Sequence, residues 1–151
     1  MMRTLLAALV VLTLPNLAFA EGKPDKTLFP GALDLPIIDG ANVPSDCQFP
    51  ARLRNAAHYD LACVVMPRDG GDAISAQYLG FLGQHGWRQG PMVIGGFSAV
   101  KPAEHDCQNY LGIYPHDFPP AAPHTTTTTR SDNVVLWFAL DRQPQCPTGA
   151  Q

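Results

Sequence analysis

The stretch Asn133–Arg142, "NVVLWFALDR", decides how the rest of the chain is to be read. Between Asn133 and Asp141 stand seven consecutive apolar residues, Val134 to Leu140. Successive side chains of a strand point to opposite faces, so a run without alternation belongs to a strand buried on both sides. The run is short, β-branched and aromatic, which favours a strand over a helix. It therefore belongs inside a sheet, with something packed on each face.

Working outward, Asp106–Pro115, "DCQNYLGIYP", reads as a second strand closed by Pro115. Trp87–Pro102, "WRQGPMVIGGFSAVKP", is also β-rich, and Gly95-Gly96 marks either a tight hairpin or a bulge. Further back, His58–Pro67, "HYDLACVVMP", is a strand that Pro67 ends. "RDGG" then reads as a turn, with Asp72 suited to an N-cap because its carboxylate can accept from free backbone N–H groups. Ile74, Tyr78, Phe81, Leu82 and His85 recur at helical spacing, and Gly86 is placed to stop the helix in a left-handed conformation. His85 then suits the negative end of the helix dipole. Gly80 and Gly83 cost that helix up to about 1 kcal/mol each against alanine, a weakness that close approach to the sheet would explain. The order is β-α-β-β-β. It predicts an α+β domain with a single helix on one face of a mainly antiparallel sheet of about four strands.

One helix covers only one face. Leu61, Cys63 and Val65 alternate with Ala62, Val64 and Met66, and Leu111 and Ile113 with Tyr110 and Tyr114, so both faces carry apolar or aromatic residues. Tyr110, Tyr114 and Trp137 are the candidate binding residues of the second face. Its cover has three candidates: the segment 21–46, a second copy of the chain in a homodimer, or a ligand. Segment 21–46 holds four prolines and three glycines, which rule out a helix or a central strand. It also holds Leu28, Phe29, Leu33, Leu35, Ile37 and Ile38, and so reads as an extended arm that packs on something.

The chain opens "MMRTLLAALVVLTLPNLAFA". Arg3, the apolar run Leu5–Leu14 and the small residues Ala18 and Ala20 make a signal peptide over residues 1–20. The run is too short for a permanent span, which needs about 20 apolar residues. This predicts a periplasmic or secreted protein with no integral membrane segment after cleavage at Glu21. The domain then runs over 47–147, with a long loop at 115–133 and a short tail at 148–151. Loss of Arg3 moves the formal net charge from −3 to −4. That acidity, with no basic cluster, argues against nucleic acid as a partner.

Cys47, Cys63, Cys107 and Cys146 are an even set in an exported chain, which reads as two disulfides. If the last two strands pair as a long hairpin, Cys107 and Cys146 meet at its open end, and Cys47–Cys63 ties the arm to the first strand. The competing reading is a metal site from His105, Cys107, His116, Asp117 and His124. Their spacing fits no compact ligand pattern, and a thiolate at Cys107 conflicts with an oxidising compartment. The segment "PPAAPHTTTTT", residues 119–129, has the composition of a stiff solvated excursion.

Catalytic signals are sparse. Ser98 in "GGFSAV" lacks the following glycine of a nucleophile elbow. Glu104 and Glu21 are the only glutamates, and "RDGGDA" sets two aspartates where a phosphate-binding loop needs none. No catalytic residue and no cofactor is predicted. The sequence leads to an exported, non-catalytic domain that binds a protein or envelope component through its second sheet face or its arm. A metal-binding protein and an enzyme with a dispersed site are the alternatives.

Overall fold

The computed structural model describes residues 26–118 and 131–147. Expectations placed on residues 1–25, 119–130 and 148–151, among them the signal peptide, His124, the threonine run and the tail, lie outside the described residues.

The domain is α+β, with one main helix, α2 (Arg68–Gln84), against a five-stranded sheet. The strands are β3 (Tyr59–Pro67), β4 (Arg88–Gln89), β5 (Phe97–Pro102), β6 (Gln108–Phe118) and β7 (Asn133–Asp141). Their order is β3-β7-β6-β5-β4, and every pairing is antiparallel. The uninterrupted apolar strand β7 lies between β3 and β6, with Trp137 opposite both Cys63 and Tyr114. Five residues of that strand, Val135 to Ala139, are at most 4% exposed. The sheet is one strand larger than the four expected, because two residues after the helix, Arg88 and Gln89, pair back onto Val100 and Ala99.

Three local expectations are corrected. α2 begins directly after Pro67, so "RDGG" is its first turn and Asp72 lies inside it rather than at its cap. Gly80 and Gly83 face open space, so neither serves close approach, and a Cβ at Gly71 would meet the Met66 side chain only at ordinary contact distance, 3.8 Å. β6 runs through Pro115 to Phe118. Pairing with β5 stops at Ile113, so Pro115 sits on an open edge where its missing N–H interrupts no ladder.

The helix end follows the sequence. Gly86 adopts φ 79°, Trp87 N–H donates to the Leu82 carbonyl (2.9 Å) and Gly86 N–H to that of Gly83 (3.1 Å). This pair of bonds is the Schellman arrangement.

Two cores flank the sheet. On the helix side Ile74, Tyr78 and Leu82 pack with Val64, Met66, Leu111, Ile113, Leu136 and Phe138. The arm belongs to this same core: Leu28, Phe29, Leu35 and Ala41 are buried there. It folds as a small hairpin, β1 (Thr27–Leu28) with β2 (Leu35–Pro36). It then joins the sheet edge where Asn42 and Val65 exchange backbone bonds of 2.8 and 2.7 Å.

The other core gathers Leu53, Cys63, Tyr114, Val135, Trp137 and Ala139, with Phe49 and Val93 packed on it. Its cover among the described residues is the segment after the arm, Cys47 to the short helix α1 (Ala51–Arg54), together with Val93. The arm lies on the opposite side of the sheet. Cys47–Cys63 ties this cover to β3, and the Trp137 indole N–H donates to the Cys47 carbonyl at 2.7 Å. Cys107–Cys146 closes the far end of the β6–β7 hairpin.

Candidate functional site

The alternation of β6 and β7 sets Tyr114 and Trp137 side by side on the α1 face, where they are 8% and 4% exposed. Tyr114 lies over Gly112, whose missing side chain makes room: a Cβ there would come within 2.8 Å of the phenol ring. The Arg52 guanidinium stands 5.8 Å from the centroid of the same ring. Tyr110 and Tyr59 remain half-buried beside it. Burial raises the phenol pKa of Tyr114, with Tyr110 and Tyr59 adding to the rise and Arg52 opposing it. Of the three candidate binding residues, then, Tyr110 alone reaches the surface appreciably. Tyr114 and Trp137 are core residues under α1.

The candidate metal ligands among the described residues are dispersed. Cys107 is bonded to Cys146 and offers no thiolate. His105 and Asp106 both take left-handed backbone angles (φ 56° and 60°) in a single 3-10 turn at Glu104–Asp106. His116 and Asp117, being neighbours on a strand, point to opposite faces. His116 packs tilted against Trp137 with centroids 4.5 Å apart, whereas Asp117 pairs with Arg68 at the start of α2. Among the described residues no group of three or more His, Cys, Asp or Glu side chains is placed to hold a metal ion. His116 Nε2 is buried without a hydrogen-bond partner among them. Burial lowers the pKa of this histidine, Arg52 lowers it further, and Asp117 opposes both. Ser98 is buried and donates its hydroxyl to the Pro91 carbonyl (2.7 Å), a fixed structural contact.

A different place carries the exposed apolar surface. The exposed large apolar residues among those described are Val43, Leu79, Met92 and Ile94, the last two at 76% and 88%. Leu79 on α2 and Met92 in the β4–β5 loop face each other across a groove of about 560 Å³ floored by Leu82, Trp87 and Phe97. Ile94 lies two residues beyond Met92 in the same loop. The sequence does hold a signal for this groove: "PMVIGG" sets three apolar residues inside a proline- and glycine-bounded turn, where polar residues are usual. Reading that stretch as strand conceals it.

No known protein family matches this chain, and neither a curated protein nor a solved structure does.

Proposed function

We propose that this is an exported, non-catalytic binding domain that seats an apolar segment of a partner protein between α2 and the β4–β5 loop. The observation carrying this reading is that Leu79 and Met92, two of the four exposed large apolar residues among those described, line one groove. Exposed apolar surface gathered in one place marks an interaction site more often than scattered single residues do. Methionine at the rim supports the reading, since its flexible thioether adapts to varied partners. The groove wall includes no carboxylate, imidazole or thiol. Its one charged residue, Arg88, is exposed and has no acidic partner among the described residues. The partner segment therefore presents apolar anchors with a carboxylate beside them.

Export rests on the leader-like first twenty residues and on two disulfides, which persist in oxidising compartments. N-terminal sequencing of the protein from its host should begin at Glu21; material retaining Met1 in the cytoplasm would remove that part of the proposal. For the groove, Met92→Asp and Leu79→Asp should leave the thermal midpoint nearly unchanged, because both side chains are exposed. Both variants should lose the higher-mass assembly that the wild type forms in its native compartment. Retention of the same assembly by both would remove the groove from the account.

A further inference from the structure

A second cavity, of about 390 Å³, opens on the helix side at the far end of the sheet, below the C-terminus of α2. Its size lies within the range of small-molecule sites, roughly 300 to 1,000 Å³. Trp87 and Leu140 form an apolar floor, both 7% exposed. Polar groups converge on it from separate strands: Lys101 from β5 stands opposite Asn109 of β6, and Arg142 follows β7.

Asp60 and Asp141 also line the cavity, so its formal charges cancel in number against Lys101 and Arg142, but not in position. Arg142 donates to Asp60 at 2.7 Å and to the Ala57 carbonyl at 2.9 Å, so that pair satisfies itself. Asp141 alternates with Leu140 and so directs its carboxylate to the other face, where it raises the pKa of the Tyr59 phenol, after burial and Tyr110. There it also accepts from Gln143 N–H and the Gln145 amide, at 3.2 and 3.1 Å. Lys101 is left without an acidic partner among the described residues. Its stem passes Gly86, where a Cβ would lie 3.8 Å from Cε. His85 binds the Phe81 carbonyl through Nδ1 (2.8 Å), which leaves Nε2 directed elsewhere.

We infer that this cavity binds a small organic carboxylate: its apolar body lies on Trp87 and Leu140, and its head takes the Lys101 ammonium and the Asn109 amide. A compact charge on an apolar floor is the arrangement that separates a carboxylate from its neutral amide, since only the anion repays the ammonium for lost water. The site shares the Trp87 ring with the Met92 groove but none of its polar groups, so a charge at Met92 and a change at Lys101 test the two apart.

Benzoate and benzamide are a matched pair of probes. Titrated into the isotopically labelled, disulfide-bonded chain, benzoate should give saturable shifts of the Trp87 indole N–H and the Lys101 and Asn109 amides. Benzamide should bind at least tenfold more weakly. Lys101→Gln should abolish the preference for benzoate, Lys101→Arg should restore most of it, and Met92→Asp should leave it unchanged. Equal shifts from both probes, a preference that survives Lys101→Gln, or no saturable shift at all would overturn the assignment.

Discussion

His116 shows how one side chain can couple this fold to pH. It lies against Trp137 and near Arg52, with Nε2 sealed from water, and its pKa is lowered, first by burial and then by Arg52. With a folded-state value below the ordinary 6.5, the unfolded chain takes up the proton first as pH falls. Its contribution to stability is complete above about pH 6.5, shrinks as pH drops below that, and levels off under the lowered folded value. The urea midpoint of the wild type should therefore fall more steeply between pH 7 and 5 than that of His116→Gln. Parallel profiles would show that the ring is not held neutral. Glycines make a second test at the same scale. Gly112→Ala forces the Tyr114 ring off its seat and should cost about 1 to 3 kcal/mol, whereas Gly80→Ala on the open side of α2 should stabilise by up to about 1 kcal/mol. Urea melts of the two variants decide this; a Gly112→Ala protein as stable as wild type would mean that the ring moves freely.

At the scale of elements, β7 was legible because seven apolar residues in a row have only one home, and its neighbours followed from it. The end of α2 was legible because Gly86 marks a conformation that other residues adopt at a cost. The start of α2 was not, since a sequence rule places the cap at Asp72 while the chain turns directly out of β3 at Pro67. Arg52 and Arg54 stand on α1, whose place depends on Leu53, which tertiary burial fixes and local spacing does not. Leu53 is the one buried residue of α1 and so its anchor in the second core. Leu53→Ala should destabilise by about 2 to 5 kcal/mol. It should also shift Trp137 fluorescence to longer wavelength as the cover loosens. An unshifted spectrum with unchanged stability would mean that Phe49 and the Cys47–Cys63 bond close that face alone.

For the whole molecule, the presence of two covered faces could be read from the chain, but not what covers them. The arm carries enough apolar residues for either side; on the helix side it meets α2 where Ile38 N–H donates to the Tyr78 hydroxyl at 3.4 Å, a contact between positions far apart in sequence. The second face, the first candidate for binding, is closed by a segment that composition marks only as a loop. The groove at Met92 escaped because strand-like composition hid a turn. Both disulfides act at this scale. In the chain-entropy description, Cys107–Cys146, spanning 39 residues, contributes about 4 kcal/mol, and Cys47–Cys63, spanning 16, about 3 kcal/mol. Paired Cys→Ser variants should lose stability in that order in urea melts, and the reverse order would point to Cys47–Cys63 as the main clamp.

The central proposal is that this domain holds a partner at the Leu79–Met92 groove and not at the tyrosine face. A photo-activatable residue introduced at Met92, and in a separate protein at Tyr110, compares the two surfaces in the native compartment. The account predicts a discrete adduct from position 92 that disappears when Leu79→Asp is added, and none from position 110. An adduct from position 110 that is indifferent to Leu79, or silence at position 92, would contradict it.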